Sequence, residues 1–265
     1  MKLCAPITQQ NMGIWMSGRV RELDGTAAIV TGSTGNLGSA IARALADAGA
    51  GIVINGRTSG EAAAALAEEI EAAGGRAIVH LADVSVPEQV EGMIDAAVAA
   101  FGRLDILVNN VGPASNSPVT DIAYDDWRRI MATKLDSAFF CIKASVPHLA
   151  KHGQGTIINI GASSAHTGNP NRSVDVAAKM GLAGLTGSLA VELAPQQITV
   201  NCVAPGRIAR PGATTAHFKA HPIPMGREGT PEEFAATVRF LCGPHSRYTT
   251  GQTLHVNGGW YVSVN

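Results

Sequence analysis

A glycine-rich turn between an apolar strand-like run and an alanine-rich helical run is the clearest candidate for chemistry in this sequence. It reads Thr31-Gly32-Ser33-Thr34-Gly35-Asn36-Leu37-Gly38. Glycines let the backbone approach a pyrophosphate closely, and the N-terminus of the following helix supplies unpaired N–H groups. Glycines alone could form a plain tight turn, but their place between a strand and a helix favours a dinucleotide site. The residues predicted to bind it are Gly32, Ser33, Thr34, Asn36, Leu37 and Gly38.

The end of the second strand-like run bears on which dinucleotide is bound. A carboxylate at this point commonly binds a free ribose 2′-hydroxyl, but the sequence here is Asn55-Gly56-Arg57-Thr58. A guanidinium can accept a 2′-phosphate through two hydrogen bonds. Arg57 therefore favours NADP(H), while NAD(H) stays possible if Arg57 is an ordinary surface residue.

Alternating strand and helix patterns from residue 26 onward must position these residues. The predicted strands are 27–31, 52–55, 77–81, 104–109, 156–160, 199–203 and 253–256. The predicted helices are 37–48, 61–73, 88–101, one or two within 125–151, 174–193 and 231–241, the last opened by a capping box of Thr230 and Glu233. Repeated βα units predict an α/β fold, a doubly wound parallel sheet (Rossmann fold) of about seven strands with helices on both faces. Ligands then bind beyond the carboxyl ends of the strands.

Composition narrows the class of protein. The chain has 265 residues, of which 46% are hydrophobic and 15% charged, with a net charge of −1. This predicts one large core and argues against nucleic-acid binding. No run of apolar residues predicts a membrane span. The scattered cysteines Cys4, Cys141, Cys202 and Cys242 indicate a reduced, cytoplasmic protein with neither a zinc site nor disulfides.

The same patterns predict one dinucleotide-binding domain over residues 25–265. Residues 1–24 are expected to form a flexible N-terminal extension. A start codon assigned too early is the other interpretation, with Met12 or Met16 as the true first residue.

Four further groups of motifs follow the glycine turn. They are Asp83-Val84, Asn109-Asn110-Val111-Gly112, Asn201 with Pro205-Gly206, and Thr250-Gly251-Gln252 with Val256-Asn257-Gly258-Gly259. In this order and spacing they resemble the short-chain dehydrogenase/reductase family, in particular its 3-oxoacyl-[acyl-carrier-protein] reductases. The one departure in the turn is Asn36, where the commonest family form has a glycine, and asparagine tolerates left-handed backbone well.

The resemblance implies roles for these motifs in binding the cofactor. Asp83 and Val84 would contact the adenine. The segment after the fourth strand would lie beside the cofactor, and the segment after the sixth would close over the nicotinamide. The cofactor-binding residues implied in these two segments are Asn110, Val111, Gly112, Pro205, Gly206 and Ile208.

The catalytic positions that the resemblance implies carry changed residues. The family uses a Tyr-x-x-x-Lys pair, a serine before the tyrosine and an asparagine on the preceding helix. Lys179 matches the lysine, but Asp175, Ala162 and Lys134 stand at the tyrosine, serine and asparagine positions. An ordinary aspartic acid is protonated in only about one molecule in 10³ at pH 7, and neighbouring lysines lower that fraction. The inherited proton donor is therefore not expected to work.

Nearby residues offer substitutes. Ser163 or Ser164 could return a hydroxyl to the site after a one-residue shift, and His166 could act as an acid near neutral pH. The alternatives are that Ser163 points away from the site and that His166 is an ordinary loop residue. The resemblance also implies that Lys179 binds the nicotinamide ribose, and the i, i+4 spacing predicts an ion pair between Asp175 and Lys179.

Three functions remain open at this point. The first is an NAD(P)(H)-dependent oxidoreductase acting on a small carbonyl, alcohol or acyl substrate with a rebuilt proton donor. The second is a catalytically silent dinucleotide-binding homologue, and the third is a lyase or isomerase with Asp175 as the base. The candidate catalytic residues are Lys179, Asp175, Lys134 and Ser163.

The segment 206–228 and the long helices bear on substrate and assembly. Five basic residues of this segment could form a lid for an anionic or acyl-carrier substrate, or they could simply be solvated. They are Arg207, Arg210, His217, Lys219 and His221. The resemblance implies a homotetramer or homodimer formed through helices around 139–148 and 174–193. The apolar C-terminal residues 260–262 suit a further subunit contact.

Overall fold

One parallel sheet organises the chain. The computed structural model describes residues 21–112, 115–210 and 223–262. The strands are β1 (Ala27–Val30), β2 (Gly51–Gly56), β3 (Arg76–Leu81), β4 (Ile106–Asn109), β5 (Thr156–Ile160), β6 (Thr199–Pro205) and β7 (Thr253–Val256). Their order is β3-β2-β1-β4-β5-β6-β7, and every pair is parallel. This confirms the predicted doubly wound fold, with the change of winding direction between β1 and β4.

Helices cover both faces of the sheet. They are α1 (Asn36–Asp47), α2 (Gly60–Ala72), α3 (Pro87–Phe101), α4 (Tyr124–Met131), α5 (Ser137–Leu149), α6 (Ser163–Thr167), α7 (Ser173–Leu193) and α8 (Pro231–Cys242). Short 3₁₀ turns lie at Val119–Asp121, Ala150–His152, Ala194–Gln196 and Pro244–Ser246. The capping box predicted at the start of α8 is present, because Thr230 and Glu233 exchange side-chain and backbone hydrogen bonds.

The strand register divides the core into two layers. Ile29, Leu107 and Ile157 are successive register partners on one face, which α3, α5 and α7 cover. Val30 and Val108 lie on the other face, which α1, α2 and α8 cover. Burial on both faces explains why the central strands β1 and β4 are mostly apolar rather than alternating. The core therefore fixes the carboxyl ends of β1, β4 and β5 beside one another.

Helix α7 is the most apolar long helix. With the 3₁₀ turn that follows, Ser173–Gln196 is long and apolar enough by composition to cross a membrane. However, α7 packs against β6 and contributes Ala190 and Leu193 to the buried core. A helix that covers one face of a parallel sheet has the same composition as a spanning helix.

The region 125–151 forms one continuous helical stretch with an irregular turn inside it. Between α4 and α5, residues Ala132–Asp136 are π-helical. The sequence predicted one or two helices here but not this turn, because hydrophobic spacing does not distinguish one wide turn from an α-helical one. π-bulges are frequent at functional sites, and this one contains Lys134.

The packed part of the chain begins before residue 25, where the sequence analysis placed the domain boundary. Leu23 is 3% exposed, and Glu22 forms an ion pair with Arg239 of α8 at 2.7 Å. Residues 21–24 therefore belong to the folded body. The rest of the predicted extension, residues 1–20, lies outside the described residues, as do residues 211–222 of the predicted lid.

Candidate active site

The turn after β1 is shaped to receive a phosphate group. Gly32 has a φ of +60°, a left-handed conformation that favours glycine. A Cβ on Gly38 would lie 2.3 Å from the carbonyl oxygen of Gly32, so a side chain there would displace the turn. Among the described residues no side chain caps the N-terminus of α1, and its first turn has no acidic residue. These backbone N–H groups fit the pyrophosphate of a dinucleotide.

Asn55, at the end of β2, holds this turn in place. Its Oδ1 accepts a hydrogen bond from the Gly32 N–H at 3.1 Å, and its Nδ2 donates to the carbonyl oxygens of His80 and Ala82. The side chain is buried. Sequence reasoning noted only that Asn55 is not a carboxylate, and missed that its amide ties β2, β3 and the turn together.

Asn110 closes the crevice between β1 and β4. Its Nδ2 donates to the carbonyl oxygens of Thr31 and Gly32 at 3.0 and 3.1 Å, and its backbone N–H donates to Thr31 Oγ1 at 2.9 Å. Val111 lies against Gly32, because a Cβ built on Gly32 would be 3.2 Å from a Val111 methyl group. The structure thus brings the predicted residues of the first and fourth strands together.

Arg57 lies at the outer end of this crevice with an exposed side chain. Its Nη1 is 3.6 Å from Asp83 Oδ2, and its side chain is 71% exposed. The Thr34 and Ser59 hydroxyls hydrogen-bond to each other nearby in the turn, at 2.8 Å. A hydrogen bond from the Ser85 hydroxyl is the main cause that lowers the pKa of Asp83, with Arg57 contributing less. The exposed guanidinium thus has N–H donors left for a further anion.

The segment after β6 lies across from the phosphate turn. A Cβ on Gly206 would lie 2.6 Å from the Cα of Asn257, so only glycine fits against the C-terminal turn there. Ile208 forms a β-bridge with Gly229. The Asn36 Nδ2 donates to the Ala209 carbonyl oxygen at 2.8 Å, which joins the phosphate turn to this segment. Asn36, which stands where the family commonly has a glycine, therefore has a hydrogen-bond partner in this segment.

A buried ion-pair network occupies the predicted catalytic position. Asp175 Oδ1 contacts the Lys134 ammonium, and Oδ2 accepts hydrogen bonds from Arg172 Nε at 2.9 Å and from the Ser115 N–H at 3.1 Å. The Lys134 and Asp175 side chains are 2% and 11% exposed. The carboxylate is thus stabilised in its ionised form by two cations and a backbone N–H. Sequence reasoning missed Arg172, although its i, i+3 spacing from Asp175 is a usable signal.

The predicted ion pair between Asp175 and Lys179 is wrong. Lys179 Nζ instead donates to the carbonyl oxygen of Ile160, at the end of β5, at 2.5 Å. The spacing rule failed because Lys134, from the π-helical turn, reaches the carboxylate from a different element. Burial lowers the pKa of Lys179 to about 8.

Lys134 and Lys179 both approach Gly112. A Cβ built on Gly112 would be 3.4 Å from Lys179 Nζ and 3.5 Å from Lys134 Cγ. Burial, followed by the charges of Lys179 and Arg172, lowers the pKa of Lys134 to about 8. The pKa of each ammonium group therefore lies below that of an ordinary lysine.

The predicted substitute hydroxyl of Ser163 is turned away from this network. Ser163 is fully buried, and its Oγ donates to the Ala204 carbonyl oxygen at 3.2 Å and lies 3.1 Å from His255 Nδ1. This geometry favours the alternative that Ser163 points into the fold. Ala162, immediately before α6, supplies no hydroxyl.

His166 lies on α6 rather than on a loop, and it packs in a cluster of rings. Its ring centroid is 4.7 Å from that of His255 and 5.4 Å from that of Tyr261. Ser164 is half-buried on the same short helix. Within the described part of the chain, Ser164 and His166 make no contact with Lys134 or Asp175.

A cleft opens beside the network. Its volume is about 490 Å³, and it is lined by residues 118–120 and 168–171 together with Ser173 and Val176. Asn171 and Ser173, the sequence neighbours of Arg172, thus both face this cleft. The carboxyl ends of β1, β2 and β4 thus supply a turn and side chains that suit a dinucleotide, and the cleft lies near the start of α7.

Comparison with known proteins points to one family. The model of the family described as enoyl-(acyl carrier protein) reductase matches residues 32–261. The chain is 40% identical to a 3-oxoacyl-[acyl-carrier-protein] reductase of a Synechocystis species over 242 residues, covering 89% of this chain and 97% of the relative. It is 38% identical to the Staphylococcus aureus 3-oxoacyl-[acyl-carrier-protein] reductase FabG over 241 residues, covering 89% and 98%.

A solved structure has the same fold. A short-chain dehydrogenase from Burkholderia cenocepacia, crystallised in complex with NADP, superposes with a TM-score of 0.85 at 36% sequence identity. The match covers 90% of this chain and 99% of that one.

Proposed function

This chain belongs to the short-chain dehydrogenase/reductase family, and on that premise we propose that it is an NADP(H)-dependent oxidoreductase with Lys134 as its proton donor. The substrate is a small carbonyl compound or the corresponding alcohol. The single observation that carries this proposal is the buried contact between Lys134 and Asp175, at the positions where the family resemblance places asparagine and tyrosine. Unpaired buried cysteines in the described part of the chain support a reducing, cytoplasmic location.

The choice of NADP(H) rests on the end of β2. Asn55 uses its amide within the fold, so the chain has no carboxylate there for a ribose 2′-hydroxyl. The exposed guanidinium of Arg57 and the hydroxyls of Thr34 and Ser59 suit a 2′-phosphate. The Burkholderia relative was crystallised with NADP, which supports the same choice. NAD(H) is the alternative cofactor.

Lys134 is suited to act as an acid because its pKa is lowered to about 8. A general acid works best when its pKa lies near the operating pH. Arg172 and the Ser115 N–H remain bound to Asp175 when Lys134 gives up its proton. The buried carboxylate therefore stays paired throughout, and Asp175 acts as a positioning residue.

In this mechanism the chain's own residues bind, orient and protonate. A bound nicotinamide would supply or accept the hydride. Lys179 would hold the nicotinamide ribose, as the family resemblance implies, and its donation to Ile160 fixes its direction. Lys134 gives a proton from Nζ to the carbonyl oxygen as the alcohol forms, and regains one in the reverse reaction.

A catalytically silent dinucleotide-binding homologue is the second candidate. The observation that favours it is that Asp175 already has its partners in Lys134, Arg172 and Ser115 without a substrate. The lyase or isomerase hypothesis gains no such support, because a carboxylate held by two cations is a weak base.

The test follows NADPH absorbance with a panel of carbonyl compounds. We expect the natural chain to consume NADPH, and Lys134→Met to lose activity by about 10² or more while still binding NADPH. A triple variant, Lys134→Asn, Ala162→Ser and Asp175→Tyr, is the matched control, because it restores the family's residues. Activity of the triple variant alone would reject Lys134 as an acid and favour the silent homologue.

A further inference from the structure

Three aromatic rings meet near the end of β7. The ring centroids of His166, on α6, and His255, on β7, are 4.7 Å apart. Tyr261 lies 5.4 Å from the first ring and 4.6 Å from the second, and all three residues are half-buried. Tyr261 belongs to residues 257–261, the C-terminal turn. The two histidines, the histidine pair, therefore lie in contact with each other and with this turn.

Hydrogen bonds determine which nitrogen of His255 carries the hydrogen in the neutral ring. The Ser163 hydroxyl donates its one hydrogen to the Ala204 carbonyl oxygen at 3.2 Å. Its oxygen accepts a hydrogen bond from Asn257 Nδ2 at 3.3 Å and lies 3.1 Å from His255 Nδ1. Nδ1 is therefore the donor to Ser163, and an additional proton goes to Nε2. No described residue accepts a hydrogen bond from that nitrogen.

The surroundings of the histidine pair do not offset a positive charge. In the described part of the chain, no carboxylate forms an ion pair with either ring, and the charge of His166 is the one neighbouring charge that lowers the pKa of His255. Tyr261 is neutral below about pH 10. Helix α7 packs against α6, but its Asp175 and Lys179 are bound elsewhere. Protonation of both histidines therefore places two like charges side by side.

The direction of the effect on stability follows from His255. Burial, followed by the charge of His166, lowers its pKa from the ordinary value of 6.5. The folded chain therefore binds a proton on this ring less readily than the unfolded chain does. The contribution of His255 to the free energy of unfolding is complete above about pH 6.5 and is lost as the pH falls below it.

The C-terminal turn also supports the segment after β6. The Met225 N–H donates to the Gly258 carbonyl oxygen at 3.1 Å, and the Gly206 N–H donates to the Val256 carbonyl oxygen at 2.9 Å. Gly206 lies so close to Asn257 that a Cβ would be 2.6 Å from the Asn257 Cα. The family resemblance places Gly206 over the nicotinamide. Displacement of the turn would therefore remove contacts that hold the cofactor side of this segment.

We propose that the histidine pair is an acid-sensitive switch: protonation of both rings in mild acid displaces the C-terminal turn and weakens binding of the dinucleotide. At neutral pH the rings are uncharged and the turn stays packed. This inference goes beyond the proposed function, because it requires a dinucleotide site but no particular proton donor.

The experiment measures NADP⁺ affinity by titration calorimetry at about pH 7.5 and about pH 5.5, on either side of the ordinary pKa of histidine. The natural chain is compared with the double variant His166→Gln and His255→Asn, in which asparagine keeps a donor near Ser163. Between the two pH values, we expect the natural chain to lose about threefold or more affinity beyond what the double variant loses. The 2′-phosphate also titrates near pH 6, and the comparison removes its contribution because it is common to both proteins.

His152→Gln is the matched control, since His152 is exposed on the 3₁₀ turn after α5. It should behave like the natural chain. Equal losses of affinity in the natural chain and the double variant would overturn the proposal. If the double variant folds poorly, His166→Gln alone removes the contact of like charges and leaves the bond between Ser163 and His255 in place.

Hydrogen exchange of the C-terminal turn separates this inference from the proposed function. At about pH 5.5 the amides of residues 257–261 should exchange faster in the natural chain than in the double variant, and at about pH 7.5 the rates should be equal. If the chain binds no dinucleotide, the proposed function fails, and this difference in exchange still supports the acid-sensitive turn. Equal exchange at both pH values, or faster exchange without a change in NADP⁺ affinity, would overturn the switch and leave the reductase proposal standing.

Discussion

At the scale of single residues, the proposed proton transfer depends on the environment of Lys134. A lysine in water keeps its proton to a pKa of about 10.4, too high for a good proton donor at neutral pH. Here burial and two neighbouring cations bring that pKa to about 8. Asp175 opposes this shift, because an opposite charge favours the protonated amine.

The pH dependence of reduction should therefore follow Lys134. Its acid form is present below about pH 8 and is lost above it, so kcat/KM for carbonyl reduction should fall as pH rises through about 8. The measurement is kcat/KM between pH 6 and 10, with Asp175→Asn compared at each pH. Removing the carboxylate should move the fall to lower pH. A rate that is constant up to pH 10 would exclude Lys134 as the donor.

The stability of the network should be strongly non-additive. Asp175→Asn leaves Lys134 and Arg172 without their carboxylate, and breaking a buried ion pair costs about 3–5 kcal/mol. Lys134→Met should lower the free energy of unfolding by less, because Arg172 still pairs with Asp175. The double variant should be more stable than Asp175→Asn alone. Urea unfolding of the natural chain, the two single variants and the double variant gives the interaction energy. Effects that simply add would show that Lys134 and Asp175 are not coupled.

At the scale of elements, the first turn of α1 has almost no spare volume. Gly38 packs against the Gly32 carbonyl and against Asn110 Nδ2, which a Cβ would approach to 2.8 Å. The contacts that shape the proposed phosphate site are therefore also the packing contacts between β1 and β4.

Gly38→Ala should weaken NADPH binding by at least tenfold and lower the free energy of unfolding. Gly92→Ala on α3 is the matched helical control, because the nearest atom to its Cβ is 4.0 Å away. Alanine there should raise stability by up to about 1 kcal/mol, as expected for a helix interior. Titration calorimetry and urea unfolding measure both effects, and equal NADPH affinity of the two variants would contradict the role given to Gly38.

The elements show what the sequence could predict. Mainly apolar strands and the capping box of α8 have local signals, so the order of the strands and longer helices and the position of the glycine turn were correctly predicted. The Lys134–Asp175 contact joins residues far apart in sequence, and it depends on a π-helical turn with no distinct hydrophobic pattern. The hydrogen bonds of Asn55 likewise need three strands to be in register. Local spacing rules could not indicate either contact.

At the scale of the whole molecule, the long helices leave apolar side chains exposed. Phe139 on α5 and Met180 and Val191 on α7 are 47%, 42% and 80% exposed. Exposed apolar surface on a folded chain commonly marks a protein–protein contact. We propose that copies of the chain associate through α5 and α7, as the family resemblance implies.

Val191→Glu should therefore shift the protein toward smaller assemblies. A buried unpaired carboxylate at a subunit contact would be costly, whereas the same charge at an exposed site would not. Val79→Glu on β3 is the matched control, at the far edge of the sheet from β7. Light scattering after size-exclusion chromatography measures the mass, and an unchanged Val191→Glu assembly would place the contact elsewhere.

The Lys134–Asp175 pair also restricts how this chain can evolve. Neutral residues at both positions form one stable state, and the present pair forms another. A path that changes Asp175 first passes through a chain in which Lys134 and Arg172 have lost their carboxylate, several kcal/mol less stable. Selection would remove most such intermediates, since a typical domain has only about 5–15 kcal/mol of stability. A path that changes Lys134 first keeps Asp175 paired with Arg172, so return to a neutral site is constrained in the order of its two steps.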